Sequence, residues 1–161
     1  MAKTCALRAL ARTRASAGFS VAELMVVLVI VGILAAASTP FFLRYYQSAA
    51  LKAATEELAA FINQGRQVAI KENQSVCVQT ASTSVRLRVN GCTGTIWVGP
   101  GTNASGNFAM TPGFTLASSA SPVFSYLGAA SPAATFTVTN TADGRTLSVA
   151  VSASGRVTIG P

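Results

Sequence analysis

From Leu24 to Ala37 every residue is apolar or glycine, and a single carboxylate, Glu23, stands at the mouth of that run. A stretch from Phe19 to Leu43 is 25 residues long, enough to cross about 30 Å of hydrocarbon as a helix at about 1.5 Å per residue. A carboxylate at membrane depth costs a few kcal/mol or more unless a partner neutralises it. Any reading of this chain therefore has to account for both the run and its acid.

Lys3, Arg8, Arg12 and Arg14 precede the run with no acid among them. A basic segment before an apolar stretch is a membrane-targeting pattern, and its charge predicts a cytoplasmic leader with the remainder facing the periplasm or exterior. Three fates fit. An ordinary secretory signal would be cut after Ala35-Ala36-Ala37, leaving a chain that begins at Ser38. A plain anchor would stay whole. Neither explains Glu23. A cut between Gly18 and Phe19 does, because it creates an amino group on Phe19 four residues before the acid.

Charge and composition narrow the function classes. The formal charge is +7, but without residues 1–18 eight basic side chains face five acidic ones, for a net of +3. The high charge is partly a property of the leader and is weak evidence for a nucleic-acid partner. There is no histidine, which removes the commonest general base and metal ligand. No Ser/His/Asp or Cys/His set and no phosphate-binding glycine motif occurs. Neither an enzyme nor a cofactor is expected, and no metal site is. Glu56-Glu57 reads as a solvated helix face and Asp143-Gly144 as a hairpin turn.

Cys5 would leave with the leader. Cys77 and Cys92 remain and flank a strand-like hairpin. In an oxidising compartment a disulfide is the natural reading, and two unpaired thiols packed as small hydrophobes are the alternative.

Helical periodicity continues past the apolar run. Leu51, Ala54, Leu58, Phe61, Gly65 and Val68 recur at three- and four-residue spacing, one apolar stripe of an amphipathic helix. The whole helix is predicted from about residue 20 to 72, on the order of 80 Å. Pro40 removes one helix hydrogen bond and should kink or loosen it. From residue 75 the composition turns to Ser, Thr, Gly and Val. β-like runs are predicted at 76–80, 85–90, 95–98, 114–117, 123–126, 135–139, 146–151 and 156–159, separated by turn signals such as Asn90-Gly91 and Ser154-Gly155. Gly99–Gly106 reads as a flexible loop. The expected fold is α+β, a long N-terminal helix packed on a C-terminal antiparallel β-sandwich head.

Gly18-Phe19-Ser20-Val21-Ala22-Glu23 resembles the type IV pilin N-terminal motif, a basic leader ending in glycine, then Phe, then Glu four positions on. Leu58 to Val76, and Ser152-Ala153-Ser154-Gly155-Arg156-Val157-Thr158-Ile159, resemble the stem-to-strand segment and terminal turn of the GspH/FimT class of minor pilins and pseudopilins. The likeness covers most of the mature chain and is thin between residues 99 and 134. It implies cleavage between Gly18 and Phe19 by a prepilin peptidase and N-methylation of Phe19. It also implies pairing of Glu23 with a neighbour's Phe19 amine, and other major or minor pilins or pseudopilins as partners. The implied organisation is a leader at 1–18, a membrane and filament-core helix at 19–43, a stem at 44–74 and a β-rich periplasmic head at 75–161. The implied site is the bacterial inner membrane and then a pilus or pseudopilus. The expected function is that of a FimT/FimU-like minor pilin that primes or caps pilus assembly, with a secretion pseudopilin of the GspH kind as the alternative.

A third reading comes from the same resemblance. Some FimT-like pilins bind DNA through a C-terminal Gly-Arg-x-Arg motif. Gly155-Arg156-Val157-Thr158 retains its first arginine and has threonine for the second. A phosphate-binding patch needs several cations together, and Arg86, Arg88, Arg145 and Arg156 are the candidates. Scattered solubilising arginines are the favoured alternative.

Overall fold

A computed structural model describes residues 18–160 of the chain. The basic leader segment, with Lys3, Cys5, Arg8, Arg12 and Arg14, lies outside the described residues. The described residues divide into two compact units, one ending at Phe41 and the other beginning at Phe42.

One helix, α1, runs from Val21 to Glu72. Its first half contains an 18-residue window of mean hydropathy 2.5, none of it buried. Helical backbone persists through Pro40. Just before the proline, the Ser38 hydroxyl donates to the Leu34 carbonyl at 2.7 Å and the Thr39 hydroxyl to the Ala35 carbonyl at 3.0 Å. Such back-bonding accompanies prolines tolerated in apolar helices. At the other end Asn73 takes a positive φ of 53° and ends the helix.

The second half of α1 is amphipathic as its spacing predicts. All six stripe residues from Leu51 to Val68 are buried, joined by Thr55, Ile62 and Ala69. Thr55 is buried without cost because its hydroxyl donates to the Leu51 carbonyl at 2.7 Å. At Gly65 the helix approaches the facing sheet closely: a Cβ there would lie 2.8 Å from Leu87 Cδ2, so that side chain would have to shift.

Two antiparallel sheets form the head. The strands are β1 (Val76–Ala81), β2 (Ser84–Val89), β3 (Thr95–Ile96), β4 (Asn107–Ala109), β5 (Phe114–Ser118), β6 (Val123–Phe124), β7 (Ala130–Ser131), β8 (Ala134–Asn140), β9 (Thr146–Val151) and β10 (Val157–Gly160). The first sheet has the order β3-β2-β1-β6-β7, with β4 also paired to β2, and the second has β10-β9-β8-β5. Alternation sets the faces: Val85, Leu87 and Val89 point inward, while Arg86 and Arg88 are only partly covered. Phe124, Phe136, Val76, Val78, Val138 and Val149 are fully buried together with the helix stripe. Phe61 of α1 stacks on Phe108 of β4, with centroids 4.6 Å apart. Each large buried side chain contributes about 1.5–3 kcal/mol.

The predicted strands are present, with ends moved by one or two residues. Two strands are additional, β4 and β7. They have three and two residues, too short to show a period, and both fall where the family resemblance is thin. The predicted loop at Gly99–Gly106 is held by turns: Asn103 Oδ1 accepts from the backbone of Ser105 and Asn107, and Thr102 bonds Gly99.

Candidate assembly site

Gly18, Phe19 and Ser20 precede the helix, and Ser20 starts it by accepting the first bond, from Leu24 N at 3.1 Å. Glu23 lies in the first turn, where the helix dipole favours a carboxylate. Among the described residues Glu23 makes no ion pair; the ion pairs present are Lys52–Glu56 at 3.8 Å and Arg145–Asp143 at 3.5 Å. Phe19 is exposed, as is each large hydrophobic from Val21 to Leu34. The first half of α1 thus presents apolar side chains on all sides with one unpartnered acid at its start. The arrangement is chemically suited to an apolar surrounding that supplies a cation near residue 23.

The candidate arginines are divided between the two sheets. Arg86 and Arg88 are on β2 of the first sheet, while Arg145 and Arg156 precede β9 and β10 of the second. Arg88 is engaged: its Nε donates to Gln79 Oε1 at 2.8 Å and its Nη1 to the Gly94 carbonyl at 2.7 Å. Arg145 is paired with Asp143. Arg86 lines an open depression of about 310 Å³ with Gln79, Thr80, Ala81 and Ser121. Arg156 is exposed.

Cys77 and Cys92 form a disulfide. It belongs to a polar clasp on the loop after β2. Gln79 Nε2 donates to the Cys92 carbonyl at 2.7 Å, and the amides of Asn90 and Gly91 both donate to the Ser75 carbonyl. Arg88 is part of the same clasp.

Sequence reasoning missed Arg66. Its Nε donates to the Gly128 carbonyl at 3.0 Å. Gly155 sits against the same carbonyl with φ +77°, and a Cβ there would collide with that oxygen. The Ala130 amide donates to the Ala153 carbonyl at 3.0 Å. Helix, β6–β7 hairpin and β9–β10 turn are therefore fastened at one point. The terminal Ser152-to-Arg156 segment is a fastening, with Gly155 required by close approach. The signal in the sequence was an arginine next to the stripe residue Gly65, between Gln64 and Gln67, which spacing alone cannot assign.

Residues 54–155 match the family model described as type II transport protein GspH. The chain belongs to this family. Residues 13–39 match a second model, the prokaryotic N-terminal methylation motif. No curated protein matches the chain. Among solved structures, the type IV minor pilin FimU of Pseudomonas aeruginosa has a TM-score of 0.52 at 17% identity, covering 73% of this chain and 92% of that one. The minor pseudopilin EpsH from the type 2 secretion system of Vibrio cholerae gives 0.54 at 9%, covering 68% and 94%. Escherichia coli GspH gives 0.54 at 14%, covering 69% and 87%. At these identities the structures establish a shared fold, one long helix followed by antiparallel sheets. The family is structural rather than enzymatic and implies assembly with other pilins or pseudopilins. The methylation motif and the apolar helix fit membrane anchoring.

Proposed function

We propose that this chain is a minor type IV pilin of the FimT/FimU kind, which packs with other pilins to prime or cap a pilus. The observation that carries the reading is Glu23: an acid in the first turn of an exposed apolar helix, with no ion-pair partner among the described residues. A prepilin peptidase cuts between Gly18 and Phe19, and Phe19 is N-methylated. Before assembly the helix spans the bacterial inner membrane with the head in the periplasm. In the filament, Glu23 pairs with the Phe19 amine of a neighbour. Because both charges are desolvated there, the pair contributes register more than strength, and losing one partner leaves a buried uncompensated charge. Intact mass measurement of the membrane form tests the processing: the reading requires a chain beginning at methylated Phe19, and a chain beginning at Ser38 refutes it.

A secretion pseudopilin is the second reading, supported by the family's own description and by the EpsH and GspH folds. The filament that retains the chain, pilus or pseudopilus, separates the two. DNA uptake is the reading with least support: Arg88 and Arg145 are spent within the head, and the other two candidates lie on different sheets.

A further inference from the structure

The turn from Ser125 to Gly128 carries Tyr126 and Leu127 at its tip, 54% and 74% exposed. Tight turns ordinarily place Gly, Asn, Asp, Ser or Pro in such positions. Ile70 of α1, 49% exposed, packs beside the turn, its Cδ1 3.0 Å from where a Gly128 Cβ would stand. An exposed apolar helix residue thus lies beside a turn whose tip carries two exposed large apolar side chains.

The turn is held rigid. Gly128 N donates to the Ser125 carbonyl and Ser125 N to the Ala129 carbonyl, both at 2.8 Å. Arg66 and Gly155 clamp Gly128 from behind. A preorganised aromatic and aliphatic pair, presented without ordering cost, has the character of a binding anchor. One cation touches it: Arg66, whose Nε bonds the Gly128 carbonyl.

The stem of the same chain carries the complement. Phe42, Tyr46, Ala49, Ala53 and Glu57 are exposed at four- and three-residue spacing, forming one uncovered helical stripe. It is aromatic at one end, small in the middle and acidic at the other. Ala53 and Ile70 are roughly 25 Å apart along the helix, so one copy cannot close the contact on itself.

Resting on the filament reading, we propose that the Tyr126–Leu127 turn is an apolar plug that seats on the exposed stem stripe of another pilin-like subunit. Leu127 and Tyr126 fill the space over the small residues, and Arg66 faces the acidic end. Plug and stripe are different surfaces, so the contact is head-to-tail and not a two-fold one.

The test uses the full chain in cells that build the filament. A photo-crosslinking benzoylphenylalanine replaces Leu127, and adducts are mapped by mass spectrometry. The proposal requires adducts on the stem helix of a pilin-like subunit, over the segment matching residues 42–57. Adducts on lipid, on a partner's head or on a protein of another kind overturn it, as does no adduct from a chain present in the filament. Leu127→Asp, at an exposed position, should leave the melting temperature unchanged and cut incorporation about tenfold. Equal incorporation of Leu127→Asp and the unaltered chain overturns the plug alone. Absence of the unaltered chain from any filament overturns the function reading and the plug with it.

Discussion

The two halves of α1 meet opposite fates. Residues 51–69 bury an apolar stripe against two sheets of their own chain. Residues 21–34 are more apolar still, yet none of that segment is buried. A stripe with polar flanks specifies one covered side and can be completed within one molecule. A helix apolar on every side has to be completed from outside, by lipid or by other helices. On the proposed reading the head is a folding unit and the first half of the helix an assembly unit, with Glu23 belonging to the second. Substitutions should therefore divide into those that alter melting and those that alter incorporation.

The largest expected effect on melting comes from the head core. Phe136→Ala should destabilise the head by about 3–5 kcal/mol, because a fully buried ring leaves a cavity between the sheets. Denaturant unfolding followed by circular dichroism measures it, and a loss below 1 kcal/mol, roughly, would mean that the two sheets do not share this core. Next comes the disulfide. Cys77→Ser with Cys92→Ser opens a cross-link between residues 15 apart in sequence, worth about 3 kcal/mol in chain-entropy terms. Melting of the double variant beside the oxidised chain checks this; equal stability would leave the polar clasp of Gln79 and Arg88 as the element that holds the loop. Arg66→Ala follows, removing a charged hydrogen bond to a partly buried carbonyl, at a cost of about 1.5–3 kcal/mol. Hydrogen exchange should then quicken at Gly128 and Ala130 before the rest of the head. The smallest effect belongs to Arg145→Gln, whose exposed ion pair with Asp143 contributes roughly 0–1 kcal/mol. A large loss there would show that the sheet exterior matters to folding as the interior does.

Much of this division is visible in the sequence. The six-residue stripe and the alternation of Val85, Leu87 and Val89 with Arg86 and Arg88 each carry a period that only one secondary structure satisfies, and the run with its acid is assigned by its length. The strands Asn107–Ala109 and Ala130–Ser131 carry none; they exist because neighbouring strands offer open edges, which is tertiary information. The fastening of Arg66 to Gly128 is hidden for the same reason, since it joins residues 62 apart. Gly155 could be read as a turn glycine, but its requirement comes from a carbonyl in a different sheet. The bonds of Arg88 and Arg145 were not legible, because alternation fixes the face of an arginine and leaves open what it touches there.

The central claim is that Glu23 serves assembly and not the fold of the head. Glu23→Ala, measured in parallel for incorporation into filaments and for thermal unfolding of the full chain in detergent, tests it directly. The account predicts that incorporation is lost while the unfolding transition of the head stays where it is in the unaltered chain. Normal incorporation of the variant, or a lowered head transition, would contradict it.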